Sequence, residues 1–173
     1  LRVPAQMLLT RFLDRPVALG EPFDIRLRPV VRVTLGSVRI AAPDWSDEPH
    51  FAELENLKVH LNWRFLLGRS DRIDRVDLDR GDLRAVRTAD GRTTWAFGPS
   101  DRASRTGQSG GVPLIGRLRI GALQAKIDDR QNAIELQVKA RTAEDGTALI
   151  ATGAGRWNGN RAGFDLEAPG VAD

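Results

Sequence analysis

Proton transfer or metal ligation near neutral pH calls for histidine, cysteine or a strongly perturbed carboxylate. This 173-residue chain offers two histidines, no cysteine and no tyrosine. His60 stands on the polar parity of an alternating run between Val59 and Leu61 and reads as a solvated side chain, and His50, in a Pro-flanked loop, is equally unremarkable. No HExxH, GxSxG or P-loop is present, and the Gly153-Ala154-Gly155 run followed by Gly159 lacks the spacing of a dinucleotide fingerprint. The densest ionisable stretch is Asp71-Arg72, Asp74-Arg75, Asp77, Asp79-Arg80, Asp82 and Arg84. Acids at 77, 79 and 82 suggest a calcium loop, yet such a loop needs Gly at its sixth position and Glu at its twelfth, and neither holds. Acids and bases alternate there while Ile73, Val76, Leu78 and Leu83 supply an apolar side. That pattern predicts the solvated face of an exposed strand pair whose charges discourage edge pairing.

The elements that would carry any site are strands. Phe23, Ile25 and Leu27 alternate with Asp24, Arg26 and Arg28; Val31, Val33 and Leu35 alternate with Arg32 and Thr34. The period of two returns at Val38/Ile40, Leu57/Val59/Leu61, Leu118/Ile120, Ile134/Leu136/Val138 and Phe164/Leu166. Turn residues stand between these runs at Leu35-Gly36-Ser37, Ala89-Asp90-Gly91 and Trp157-Asn158-Gly159-Asn160. The fold class expected is mostly β, an antiparallel sheet of roughly nine strands, and periodicity leaves open whether it closes on an apolar core or is a curled antiparallel sheet forming an apolar groove. Two helical pieces join it: a short N-terminal amphipathic helix over 5–13, closed by Arg15-Pro16, and a helical turn near residues 63–67.

Composition narrows the class further. With 41% apolar and 28% charged residues and a net charge of +3, the chain is neither disordered nor a membrane span, and lack of cysteine excludes disulfide and zinc–thiolate scaffolds. Its 26 basic residues are interleaved with 23 acidic ones rather than gathered on one face or arm, so nucleic acid is not an expected partner. The sequence opens on Leu1 and its one methionine is Met7, as in a segment of a longer protein, and residues 1–20 carry no secretion signal. Residues 1–98 read as an N-terminal β-groove segment, 99–113 as a flexible Gly/Ser-rich connection, and 114–173 as a continuation of the sheet.

From residue 9 onward the order of short blocks resembles a known family. Leu9-Thr10-Arg11-Phe12-Leu13-Asp14-Arg15-Pro16-Val17 leads through a strand to Val38-Arg39-Ile40-Ala41-Ala42-Pro43-Asp44-Trp45. Phe51-Ala52-Glu53-Leu54, the strand Leu57 to Leu61, Phe65-Leu66-Leu67-Gly68-Arg69, the strand Ile73 to Leu78, and Asp90-Gly91-Arg92 with Trp95 and Phe97 follow. This succession resembles the N-terminal region of AsmA-family envelope proteins. Asp14 stands where that pattern usually has Gly before the Arg-Pro pair, and Thr94 where it has Asn before the tryptophan; these departures touch subfamily rather than chemistry.

The resemblance implies a periplasmic body anchored in the inner membrane of a diderm bacterium by a preceding helix. It also implies a bridge-like lipid transfer protein that shields phospholipid acyl chains for outer-membrane transport or assembly, with phospholipid and envelope proteins as partners. No enzymatic activity, cofactor or metal is expected. The alternating residues expected to line the lipid groove are Ile25, Leu27, Val31, Val33, Leu57, Val59, Leu61, Ile134, Leu136 and Val138. Periodicity alone leaves a second reading open, in which the same residues form the closed core of a structural or protein-interaction β-domain. For the Asp/Arg stretch the expected outcome is calorimetric: titration with calcium gives no binding in the micromolar range, and an isotherm abolished by Asp77→Ala and Asp79→Ala would establish a metal site instead.

Overall fold

Eight alternating segments pair in the order of the sequence to make one sheet: β1 (Val17–Arg26), β2 (Val31–Ile40), β3 (Ala52–Leu61), β4 (Arg72–Arg87), β5 (Leu114–Asp129), β6 (Ile134–Thr142), β7 (Ala148–Trp157) and β8 (Asn160–Pro169). The computed structural model describes residues 10, 15–27, 30–66, 69–70, 72–96 and 114–169. The sheet is mostly β-meander and does not close on itself. Each strand has extensive contact only with its neighbours in the sheet, so among the described residues no second layer of strands or helices packs on it. Trp63–Leu66 form one helical turn after β3. The helix expected over 5–13 lies, Thr10 apart, outside the described residues, as does the connection expected over 99–113. No helix among the described residues is long and apolar enough to cross a membrane.

Six of the seven pairings are antiparallel, while β4 and β5 run parallel. A parallel pair needs a crossover of a dozen or more residues, which the stretch 88–113 between these strands supplies. Two meanders, β1–β4 and β5–β8, therefore meet at one parallel seam. The seam repeats a pattern: Ile73, Val76, Leu78, Gly81 and Leu83 lie beside Ile115, Leu118, Ile120, Leu123 and Ala125 in turn. The Asp/Arg stretch is thus a single strand paired on both sides. The exposed pair expected from its alternating charge is corrected to one interior strand, whose charges occupy one face while neighbouring strands bond to both its edges.

Glycine and asparagine, residues that ordinarily signal turns, lie inside strands here. Leu35-Gly36-Ser37 was expected to separate two strands, yet β2 runs through it, and β3 runs through Asn56. At that level the alternation resets. Leu35 and Val38 share one buried cluster with Val17 and Leu19, flanked by Phe23, Leu54 and Leu57, although strict period two would set residues 35 and 38 on opposite faces. The means differ strand by strand. β1 has a bulge between Gly20 and Phe23, Asn56 adopts a positive φ of 51°, and the side chains of Leu54, Leu78 and Leu123 converge on Gly81. A Cβ at Gly36 would meet the carbonyl of Glu21, and one at Gly121 would lie 2.5 Å from that of Asp79.

The N-terminal end is clasped to the loop after β4. Arg15, buried and stacked over Phe51, donates from Nη1 to the carbonyl of Thr94 and from Nη2 to that of Ala96 at 2.9 Å. Thr94 is fully buried; its hydroxyl accepts from the Val86 N–H at 2.9 Å and donates to the Arg84 carbonyl at 3.3 Å. If the reset at Gly36 depends on close backbone approach, Gly36→Ala should destabilise by about 2–4 kcal/mol in chemical denaturation. Gly146→Ala, at a positive φ of 74° with open space around it, should cost only about 1 kcal/mol. Equal effects would remove the packing argument.

Candidate functional site

Because the faces reset together, cross-strand partners form apolar rows that cross the whole sheet. One row runs Leu19, Val38, Leu54, Gly81, Leu123, Ala140, Ala151 and Leu166. Its neighbour runs Val17, Ile40, Ala52, Leu83, Ala125, Val138, Gly153 and Phe164. Each contributes one apolar residue from every strand, and with strands ~4.8 Å apart the track is about 34 Å long, shorter than a nine-strand sheet would give. A shorter row, Ala85, Ile127, Leu136, Gly155 and Ala162, lies beside them on β4–β8. Small residues dominate the β6–β7 part, and the Phe164 ring lies over Gly153 in the space a Cβ would fill.

The residues expected to line a groove divide into two sets. Ile25, Val33 and Val59 share a row with Val76 and Leu118; Leu57 follows Leu35 and Phe23; Val31 pairs with Leu61. Leu136 and Val138 belong to the rows above, on the other side of the reset, and Ile134 sits between Asp129 and Trp157. Val31 and Leu61 are buried, Leu27 is 52% exposed beyond the end of β1, and the others are half-buried. The structure therefore does not bring the ten into one row. The two rows that do cross all eight strands pass through Val17, Leu19, Ala52 and Leu54, which the alternation missed, and through Val38 and Ile40, which it found without placing them in the groove. The signal was present as the three-residue step from Leu54 to Leu57, broken by Asn56.

Apart from the Arg87–Asp129 pair, 3.2 Å apart at the end of β4 and β5, charge is gathered on the opposite face. There Arg75 makes a two-pronged pair with Asp77 at 2.7 and 2.8 Å, Arg80 reaches Glu55 at 2.8 Å, and Arg39 reaches Glu53 at 3.0 Å. The loop 41–51 folds onto this face. Its Glu48 accepts from Arg84 and Lys126, both at 3.0 Å, and its buried His50 lies with Nε2 2.7 Å from Asp82, which also accepts from Arg84 at 3.0 Å. Burial pushes the Asp82 and Glu48 carboxyls up, but hydrogen bonds from His50 and Arg84 to the one, and from Lys126 and Arg84 to the other, outweigh it and hold both below the usual range. Among the described residues no cluster of His, Asp or Glu could hold a metal ion.

One ladder on this face sets basic residue types side by side: Arg26, Arg32, His60, Arg75 and Arg117 are successive partners across β1–β5. Burial, then the Arg32 charge, lowers the pKa of His60, with Arg75 adding to the effect against Asp77 and Asp74.

In a single open sheet whose apolar rows run from edge to edge, the broad face and not a cluster of reactive side chains is the candidate site. Residues 11–139 match the AsmA family model, more than half of the chain, and the protein belongs to the AsmA family. That family is associated with the bacterial envelope. No curated protein and no solved structure matches the chain significantly. The Thr94 that departs from the family pattern is the residue whose hydroxyl bridges Val86 and Arg84 beneath the Arg15 clasp.

The lowered His60 pKa has a defined sign. Folding favours the neutral ring, so its contribution to stability is complete above the ordinary value of 6.5 and is lost as pH falls from there toward the lower folded value. Denaturation midpoints measured between about pH 7.5 and 5.5 should fall for the wild type and fall less steeply for His60→Gln. Parallel profiles would show that His60 does not carry this dependence.

Proposed function

We propose that this chain is a non-enzymatic lipid-handling module of an envelope protein. In this reading its apolar face shields phospholipid acyl chains on the way to, or during assembly of, the outer membrane. The observation that carries the reading is the pair of apolar rows that cross all eight strands with no described element packed over them. An acyl chain of about sixteen carbons costs on the order of 12 kcal/mol to expose to water, at ~0.8 kcal/mol per methylene. A track of continuous apolar contact lowers that cost without nucleophile, metal or general base. Family membership supports the same reading, together with a periplasmic position and an inner-membrane anchor preceding the chain. A closed structural core would instead bury the rows along their whole length, whereas at the β8 end Phe164 and Leu166 are 39% and 53% exposed.

The domain purified from bacteria should carry phospholipid, detected by solvent extraction and mass spectrometry. Val138→Asp and Ala140→Asp place a carboxylate in the two long rows. Both sites have solvent access, so the variants should fold, but a carboxylate against an acyl chain costs several kcal/mol, and lipid occupancy should fall about tenfold or more. Lys139→Asp, between them on the charged face, should leave occupancy unchanged. A wild-type chain that is folded by circular dichroism and free of lipid would count against the groove, and unfolding of both row variants would favour a sealed core.

A further inference from the structure

The two edges of the sheet are built differently. β1 is blunted: its ladder is broken by the bulge between Gly20 and Phe23, and Pro22 there has no N–H to offer. β8 pairs residue for residue with β7 over its ten positions, without a bulge, and its one proline is the terminal Pro169. It contains no lysine, and Phe164 and Leu166 are 39% and 53% exposed. Long, regular edges of this kind are ready templates for another strand, and among the described residues nothing pairs with the outer side of β8.

Which strand fits can be read from the residues. Asn158 and Gly159 both have positive φ, 49° and 78°, and make the two-residue turn that sets Trp157 opposite Asn160 as a hydrogen-bonded pair. Hydrogen-bonding direction alternates along an antiparallel strand, so even-numbered residues of β8 bond to β7, and Arg161, Gly163, Asp165 and Glu167 present their backbone groups outward. A second copy pairing antiparallel must match these odd positions with one another. Centring the pair on Asp165 would oppose two carboxylates, and centring it on Gly163 would leave Glu167 opposite Gly159. Centring it on Phe164 sets Arg161 opposite Glu167 twice, Ala162 opposite Leu166 twice, and each Asp165 diagonal to an Arg161.

We propose that β8 is a homodimerisation edge: two copies of this chain join antiparallel about Phe164, with Arg161 of each facing Glu167 of the other and about eight backbone hydrogen bonds across the twofold axis. Even residues then meet even residues, so the apolar faces of the two copies lie on the same side and form one sheet of doubled width. The pairing rests on edge geometry and charge, not on what the apolar face binds.

Sedimentation velocity on the 173-residue chain over about 5–200 μM tests it, because self-association makes the mean mass rise with concentration. A monomer–dimer equilibrium is expected. Arg161→Glu or Glu167→Arg alone sets like charges opposite each other twice and should weaken association about tenfold or more, while the double swap Arg161→Glu/Glu167→Arg should restore it, with circular dichroism unchanged throughout. A chain that stays monomeric leaves this edge to a different partner and overturns the proposal. So do single reversals that dimerise like the wild type, a double swap that fails to recover, and assemblies larger than a dimer.

Discussion

A wide sheet keeps one apolar face only if every strand agrees on which residues point inward. That constraint is severe here, because the inward parity changes partway along β2, β3, β4 and β5, and β1 gains a residue at the same level. A strand that failed to change with its neighbours would put its charged positions, Arg32 or Lys58 for instance, among leucines. The bulge in β1, Gly36, the left-handed Asn56 and the close pass of Gly121 under the Asp79 carbonyl are separate local solutions to one collective requirement. The eight-strand rows exist because these solutions are aligned.

The same feature decides how much could be read in advance. Strand identity was legible wherever the period of two ran unbroken, as in Ile134–Thr142, and the Trp157–Asn160 turn announced its hairpin through Asn-Gly chemistry. Gly36 and Asn56 carry turn chemistry as well, and a reading tuned to it ends a strand where the chain only kinks. That is why groove residues drawn from alternation fall into two sets instead of one row. The interior place of Arg72–Arg87 was hidden for another reason: a strand with charge on one face looks alike from sequence at an edge or at the centre, and the distinction lies in the parallel partner 42 residues downstream.

Electrostatics follows from the segregation of faces. With the apolar side committed, the Arg and Asp residues crowd onto one surface, where cross-strand neighbours either pair, as Arg80 does with Glu55, or oppose, as in the ladder from Arg26 to Arg117. The loop 41–51 relieves part of this by delivering Glu48 between Arg84 and Lys126, residues on either side of the parallel seam. Arg15 does similar work at the sheet's end, satisfying carbonyls of a loop some eighty positions away in the chain.

The seam between β4 and β5 also sets the order of assembly. Within β1–β4 and within β5–β8 every partner is reached through a neighbouring turn or short loop, so each meander has low contact order and its pairing closes quickly. The pairing of Arg72 with Leu114 and the thirteen positions after it must wait until the whole 88–113 stretch has been brought round. The molecule is thus two locally cooperative halves that zip along one line. Amide protons on the facing edges of β4 and β5 report when the halves have met.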